Sequence, residues 1–470
     1  MATSLGPIPL FGIGNVGKSV NVDAQIRTNL YVEVQQDSAK SRLALFPTPG
    51  LVTFVNFGAY PSRGIYKKGD FLYVVNRNVL WKVANDGSMT NVGTLLTTAG
   101  RVDISDNGTQ IIIVDGTNGY IYNTSTLVFA QITSPNWPGA GTVTFLNGYF
   151  IVTKPDTGQF YISALYDGLT WAALDFATAE SNPDNLVRVL ADNGQLVLFG
   201  PETTEFWGDS GALDFPFARV GASAIEWGLA ARWTLCKFMD SLIFLRRNRL
   251  GAVQVCTLSG YNAQPVSTPE MDYVFSKYAA TSDATAFTYM VSGHPFMQIN
   301  FPTPGESWLY DGLTKAWSKV QYSPTASRHR GEIQQNFLDR NFVTDYENGK
   351  LYQLVDGVFT DDGQTIAREI ISRHQTVGDW TIFDEVWFEM EAGAADLLGQ
   401  GSNPKMMLQI SKDGGHTYGN EIWVPMGKQG EYRRRAVYRN LGRARDWLFK
   451  ARVTDPIKTV WVAAWGRVGK

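Results

Sequence analysis

Residues 107–123 read NGTQIIIVDGTNGYIYN, and they read as a β-hairpin. Ile111 and Ile113 on one side and Tyr120 and Tyr122 on the other fall at strand spacing. Between them Asp115-Gly116-Thr117-Asn118-Gly119 supplies residues that tolerate positive φ. Two strands alone are marginal in water, so one hairpin predicts neighbours of its own kind.

The same layout recurs at 69–83 (GDFLYVVNRNVLWKV), 147–163 (NGYFIVTKPDTGQFYIS), 193–208 (NGQLVLFGPETTEFWG) and 239–255 (MDSLIFLRRNRLGAVQV). Weaker versions stand at 288–301 and 340–355. The starts are about 40 to 50 residues apart, the period of a four-stranded propeller blade. The expected architecture is therefore all-β: a β-propeller of six or seven blades over 60–362, preceded by an extended arm and docking segment over 1–59. A β-sandwich-like region over 363–470 follows, because TIAREIISRHQTV, FDEVWFEMEAG, PKMMLQISKDGG, EIWVPM, RDWLFKARVTD and TVWVAAWG are alternating or apolar runs joined by short connections. Within the arm, DAQIRTNLYVEV (23–34) and SRLALFPTPGL (41–51) read as strands, and the last strand, 459–465, is expected to return near the arm.

Composition agrees. In 470 residues there are 46 Gly, 13% aromatic and only 18% charged residues, the make-up of a turn-rich, strand-rich chain. A net charge of −3 gives no global basic field to draw the protein onto nucleic acid or anionic lipid. Cys236 and Cys256 flank one hairpin and make no disulfide framework; they are expected reduced and buried. No secretion signal is visible at the start, and no apolar run approaches the roughly 20 residues that span a bilayer. The expectation is a protein kept in the cytosol or released by another route, with no membrane insertion.

Few motifs carry chemistry. GIGNVGKS (12–19) matches the P-loop letter for letter, and IIIVD ending at Asp115 could pass for its acidic strand. A P-loop needs a buried strand before it and a helix after it, whereas PIPLF precedes and the β-branched SVNVDAQ follows. No nucleotide or other cofactor is expected. His294, His329, His374 and His416 are too far apart in sequence for metal spacing, so no metal is expected, and no catalytic residues are assigned. Glu385, Glu389 and Glu391 read as the solvated face of a strand whose other face carries Val386, Phe388 and Met390.

SKDGGHTY (411–418) has the layout of an Asp-box, a structural turn on hairpins of sialidase-like propellers: Ser411, Asp413, Gly415, Thr417 and Tyr418. The expectation is that Asp413 bonds backbone N–H groups of its own loop while Tyr418 packs inward. EYRRRAVYRNLGRAR (431–445) brings Arg433, Arg434, Arg435, Arg439, Arg443 and Arg445 together with Tyr432 and Tyr438. Guanidinium groups there suit a charged subunit interface or DNA phosphates, or simply cover aromatics on a solvated strand pair.

Four pieces occur in one order along most of the chain: NLY (29–31), PTPGL (47–51), RGIY (63–66) and DGGHTY through LGRARD (413–446), with Lys40 opening the run KSRLALFPTPGL. In these the chain resembles the packaged-DNA stabilisation proteins of short-tailed phages, the tail hub or nozzle. That resemblance implies a non-enzymatic virion protein, assembled in the host cytoplasm. It would form a hexameric ring below the portal-adaptor protein, extend the channel through which double-stranded DNA passes without sequence-specific contact, and hold the genome in. It would also receive the tail needle or tip and the tailspikes. The alternative is a glycan-processing or glycan-binding propeller, suggested by the Asp-box and 14 Trp.

Overall fold

The computed structural model describes residues 4–8, 12, 14–15, 17–35, 41–179, 184–212, 214–221, 225–248 and 250–469. Parts of the expected arm, together with Ile13 and Val16 of GIGNVGKS and Lys40, lie outside the described residues.

The founding hairpin forms in register: Gln110–Val114 pairs antiparallel with Gly119–Asn123, placing Ile111 opposite Tyr122 and Ile113 opposite Tyr120. Asp115 makes the turn, its Oδ1 accepting the N–H of Asn118 at 2.7 Å. The hairpin is the middle pair of a four-stranded sheet, flanked by Asp103–Asp106 and Val128–Gln131. Six such blades stand as sheets of their own, at 62–94, 103–131, 143–178, 188–219 and 228–265, and at 331–355 completed from elsewhere. A further four-stranded unit at 285–322 lies between the fifth and the last and brings the number of blades round the ring to seven, while its sheet runs on through Ile26–Thr28 into the carboxy-terminal strands. Numbered in chain order, these are blades 1 to 7. The repeat at 288–301 is the first strand pair of blade 6, not its middle pair.

The missing strand of blade 7 comes from the other end of the chain. Gly50–Asn56 pairs antiparallel with Lys350–Val355, so the ring is closed by strand pairing across about 300 residues of sequence. The segment expected as an arm over 1–59 is thus divided between two bodies, because a backbone edge left open in blade 7 would expose a row of unpaired N–H and C=O groups. Gly50 is fitted to this place: a Cβ there would meet the carbonyls of Val358 and Thr360 at 2.5 Å.

The carboxy-terminal region is a sandwich. One sheet orders Leu30–Val34, Leu43–Pro47, Trp461–Gly469, Gln375–Met390 and the first part of Ala436–Val453. Ser4–Ile8 pairs with the last strand, Ile8 opposite Ala464. The second part of Ala436–Val453 crosses into the other sheet, pairing with Arg368–Ile371 and Lys405–Ser411. Between the sheets lies one apolar core in which Leu30, Val386, Phe388, Leu408, Trp447 and Phe449 are buried. One helix, Pro269–Ser276, is started by Thr268, whose side chain accepts the N–H of Met271.

The pieces that carried the family resemblance sit at the joints. Asn29, at φ 54°, donates to the carbonyl of Ala367 at 2.9 Å and accepts from the N–H of Gln321 at 2.9 Å, stitching blade 6 to the sandwich. Arg63 spends its guanidinium on the carbonyls of Gly100, Arg77 and Thr97.

Candidate assembly surface on the carboxy-terminal sheet

Ala436–Val453 does not alternate simply. Ala436, Tyr438, Leu441, Ala444 and Trp447 are buried, and the phase slips where Asn440 and Gly442 take positive φ, 57° and 88°. The slip leaves Arg439, Arg443 and Arg445 on the exposed side, with Arg433, Arg434 and Arg435 exposed in and just after the turn that precedes the strand.

The six arginines are not equivalent. Arg439 faces Glu385 across the strand pair and lies 3.1 Å from its Oε1, while Arg467 takes Oε2 of the same carboxylate at 3.4 Å. Arg435 reaches Glu389 at 3.4 Å and its guanidinium carbon lies 5.9 Å from the Trp387 ring centre. Arg443 and Arg445 both lie 5.1 Å from the Trp380 ring. Arg433 and Arg434 take part in no ion pair recorded among the described residues, and with Val424, Pro425 and Val437 they line an open cleft of about 450 Å³. Ile422, Trp423 and Tyr432 are exposed close by in sequence, Tyr432 at 76%. Among the described residues Ile422–Pro425 pairs only with Lys405–Ser411, which leaves its other side a sheet edge. Trp, Tyr and Arg on an open edge are the residue types that dominate protein interfaces.

The carboxylates of the sequence reading are matched with cations: Glu385 and Glu389 with the arginines above, Glu391 with Lys458 at 2.9 Å. Glu385 and Glu389 are only slightly exposed, held under guanidinium groups, so the solvated face expected for them is covered by the neighbouring strands.

The loop at 411–418 folds on itself. Asp413 Oδ1 accepts from the Thr417 N–H at 2.9 Å and the Ser411 hydroxyl at 2.7 Å, and Oδ2 accepts from the Thr417 hydroxyl at 2.5 Å. The Gly415 N–H donates to Ser411 Oγ at 2.8 Å. Hydrogen bonds from Thr417 hold the Asp413 carboxyl well below the usual carboxylate range. Tyr418 is half-buried, its hydroxyl pushed up to about 12, first by burial.

GIGNVGKS faces the wrong way for phosphate. The carbonyls of Gly12 and Gly14 accept from the buried Arg27 guanidinium, whereas a phosphate loop offers N–H groups. A turn, not a helix, follows at 18–22. Side chains at 12 and 14 would strike Gln25 and Asp23 at 2.5 Å, which accounts for these glycines without a ligand.

The histidines are separate. His294 lies between Asp311 and Glu33 at 2.8 and 2.7 Å, and His374 bonds Asp446 at 2.8 Å and the carbonyl of Val20 at 2.6 Å. Burial pushes His329 down to about 4. No group of three metal-ligating side chains is found among the described residues, and no helix among them is long and apolar enough to cross a membrane. Cys236 and Cys256 are free thiols, pushed up by burial to about 11 and about 12. They face Ile243 and Phe244 in the ladder, not each other.

Sequence reasoning missed one feature altogether. A cavity of about 300 Å³ opens at the propeller mouth, lined from 60–63, 98–101, 328–333 and 346. Its residues come from four separate segments, and no local pattern marks them.

Propeller and sandwich joined by shared strands, with an arginine-rich sheet edge, define a two-domain all-β protein. Residues 7–358 match the family described as bacteriophage P22 Gp10, beta-propeller, and 373–468 the one described as bacteriophage P22 Gp10, beta-sandwich. The chain belongs to this family of phage stabilisation and tail hub proteins. It is 23% identical over 330 residues to the tail hub protein gp10 of Salmonella phage P22, a match covering 66% of this chain and 66% of that protein. Among solved structures it is similar to the extracellular domain of a B. thetaiotaomicron protein described as a one component system, at TM-score 0.44 and 9% identity over 80% of this chain and 47% of that one. It is also similar to YCF48 bound to D1 peptide, at TM-score 0.42 and 12% identity over 69% and 98%.

Proposed function

We propose that the chain is one subunit of a phage tail hub. About six copies close into a ring below the portal-adaptor protein; the ring extends the DNA channel, retains the packaged genome and receives the tail needle or tip and the tailspikes. The action is assembly, with no catalytic step, and its place is the virion tail. The observation that carries this reading is that both domains described for the family are present in one chain.

The propeller axis supports a channel between copies and not within one. Trp233, leading into the inner strand of blade 5, lies 4.5 Å under Arg101 of the connection into blade 2 and 5.3 Å from Arg188 of blade 4. Side chains meeting from blades so far apart round the ring fill its centre. Rotation-related heterologous contacts that close give rings of this kind, and a net charge of −3 leaves a channel wall on which DNA slides without adhering. Arg433, Arg434 and the free edge beside them are the surface for the neighbouring subunit or the adaptor.

The test is the mass of the purified protein, alone and mixed with portal-adaptor complexes, by light scattering. A ring of about six copies that forms or tightens on the adaptor supports the reading. A monomer indifferent to the adaptor overturns it.

A further inference from the structure

The cavity at the propeller mouth is built from the connections that lead into the inner strands of blades 7, 1 and 2, from the start of the inner strand of blade 7, and from Tyr346 in a turn of blade 7. Its charged groups divide sharply into committed and uncommitted ones. Arg63 is spent on three carbonyls. Arg328 holds Glu332 at 2.6 Å and lies 3.7 Å over the Tyr346 ring. Arg101 makes no ion pair among the described residues: it lines the cavity and stacks on Trp233, while its Nη1 is buried with no acceptor among them. Arg188, on the same Trp233 ring, also has a buried donor without an acceptor, Nε. The nearest carboxylates are taken. Glu332 faces Arg328, and Asp103 accepts the N–H of Val143 at 3.0 Å and lies 3.9 Å from Arg188.

Buried donors without acceptors are rare in folded proteins, and each costs the desolvation of a polar group. Arg101 carries such a donor and lines the cavity, which puts a cationic group in its wall for an anion; Arg188 shares the Trp233 ring but lies outside the lining. The fork of a guanidinium matches a carboxylate in two parallel hydrogen bonds, and Tyr60, Ile333 and Tyr346 on the walls suit the methylene stem of an acidic side chain.

We propose that the propeller mouth is a socket for an acidic polypeptide segment, with Arg101 binding the inserted carboxylate between Tyr60 and Tyr346. The socket is a different surface from the arginine-rich sheet edge, with which it shares no lining residue.

Titration calorimetry on the full chain tests it with tetraglutamate, tetraglutamine, glutarate and inorganic phosphate as probes. Tetraglutamate is expected to bind the native protein, and its Kd to rise at least tenfold in Arg101→Met. The same loss is expected in Ala99→Trp, which blocks the mouth without touching a charge and decides the matter if Arg101→Met fails to fold. Binding unaltered in the Arg433→Ala, Arg434→Ala double variant supports the socket over the sheet edge. Tetraglutamine binding equally well, glutarate or phosphate binding as tightly as the peptide, or no loss in Ala99→Trp would each overturn the proposal.

Discussion

His294 Nε2 lies 2.7 Å from Oε2 of Glu33, and this contact joins blade 6 of the propeller to a strand of the sandwich. The other ring nitrogen lies 2.8 Å from Asp311, and Tyr31 packs against the ring at 5.1 Å. Burial by itself would lower the imidazole pKa; the hydrogen bonds to Asp311 and Glu33 outweigh it and raise the pKa above the ordinary value. A group raised on folding contributes stability that is fully present below its unfolded pKa of about 6.5 and is lost as pH rises through the folded value. The melting temperature of the native protein should therefore exceed that of His294→Gln most at pH 6, with the gap closing toward alkaline pH. A gap independent of pH between 6 and 9 would refute the charged junction.

Ring closure rests on Gly50. Its replacement by Ala places a methyl group 2.5 Å from two backbone carbonyls that belong to the same closing turn. The expected cost is about 2 to 3 kcal/mol, read by urea unfolding, with amide exchange rising first along Gly50–Asn56 and Lys350–Val355. Exchange rising instead in blades 2 to 4 would show that closure lies elsewhere.

The arginines of the outer sheet separate into those paired with carboxylates, Arg435 and Arg439, and those with no ion pair among the described residues, Arg433 and Arg434. Arg439→Ala removes an exposed guanidinium from Glu385, which keeps Arg467, and should cost no more than about 0.5 kcal/mol. Replacement of Arg433, Arg434 and Arg435 together by Ala should leave the fold intact and weaken ring formation or docking to the adaptor. Unchanged assembly by the triple variant would remove this surface from the interface.

Arg27, and not Lys18, is the residue on which the GIGNVGKS loop depends. Arg27→Met deprives the carbonyls of Gly12, Gly14 and Trp317 of their donor and should cost about 2 to 4 kcal/mol. Lys18, whose ammonium stands 6.0 Å from the Tyr273 ring, should be replaceable by Ala with no change in melting temperature, with or without ATP and magnesium. Thermal stabilisation by ATP that disappears in Lys18→Ala would revive the phosphate-loop reading.

Much of the fold was legible because its signals are local. The period-2 alternation and the Asn-Gly and Asp-Gly turns of 107–123 need only neighbours within a few residues to act, and the hairpin formed in the register they imply. The self-bonded loop of Asp413 and Thr417 is equally local, four residues from donor to acceptor. The outer sheet was half legible. Arginines and glutamates were visible on their strands, but the pairing of Arg439 with Glu385 depends on two strands brought together from 54 residues apart and on the phase slip at Asn440 and Gly442. The socket at the propeller mouth was not legible, because Tyr60, Arg101, Arg328 and Tyr346 become neighbours only when blade 7 meets blade 1.

By itself the sequence determined an all-β chain of repeated four-stranded units followed by a sandwich, because backbone twist, side-chain alternation and turn chemistry are decided over spans of fewer than about 20 residues. Only the tertiary structure decided where the ring closes, which arginines meet carboxylates among the described residues, and that one guanidinium nitrogen of Arg101 is buried at the propeller mouth without an acceptor among them. Those outcomes depend on which unsatisfied edge or charge meets which partner across hundreds of residues, and desolvation sets their energies at contacts that exist only after folding.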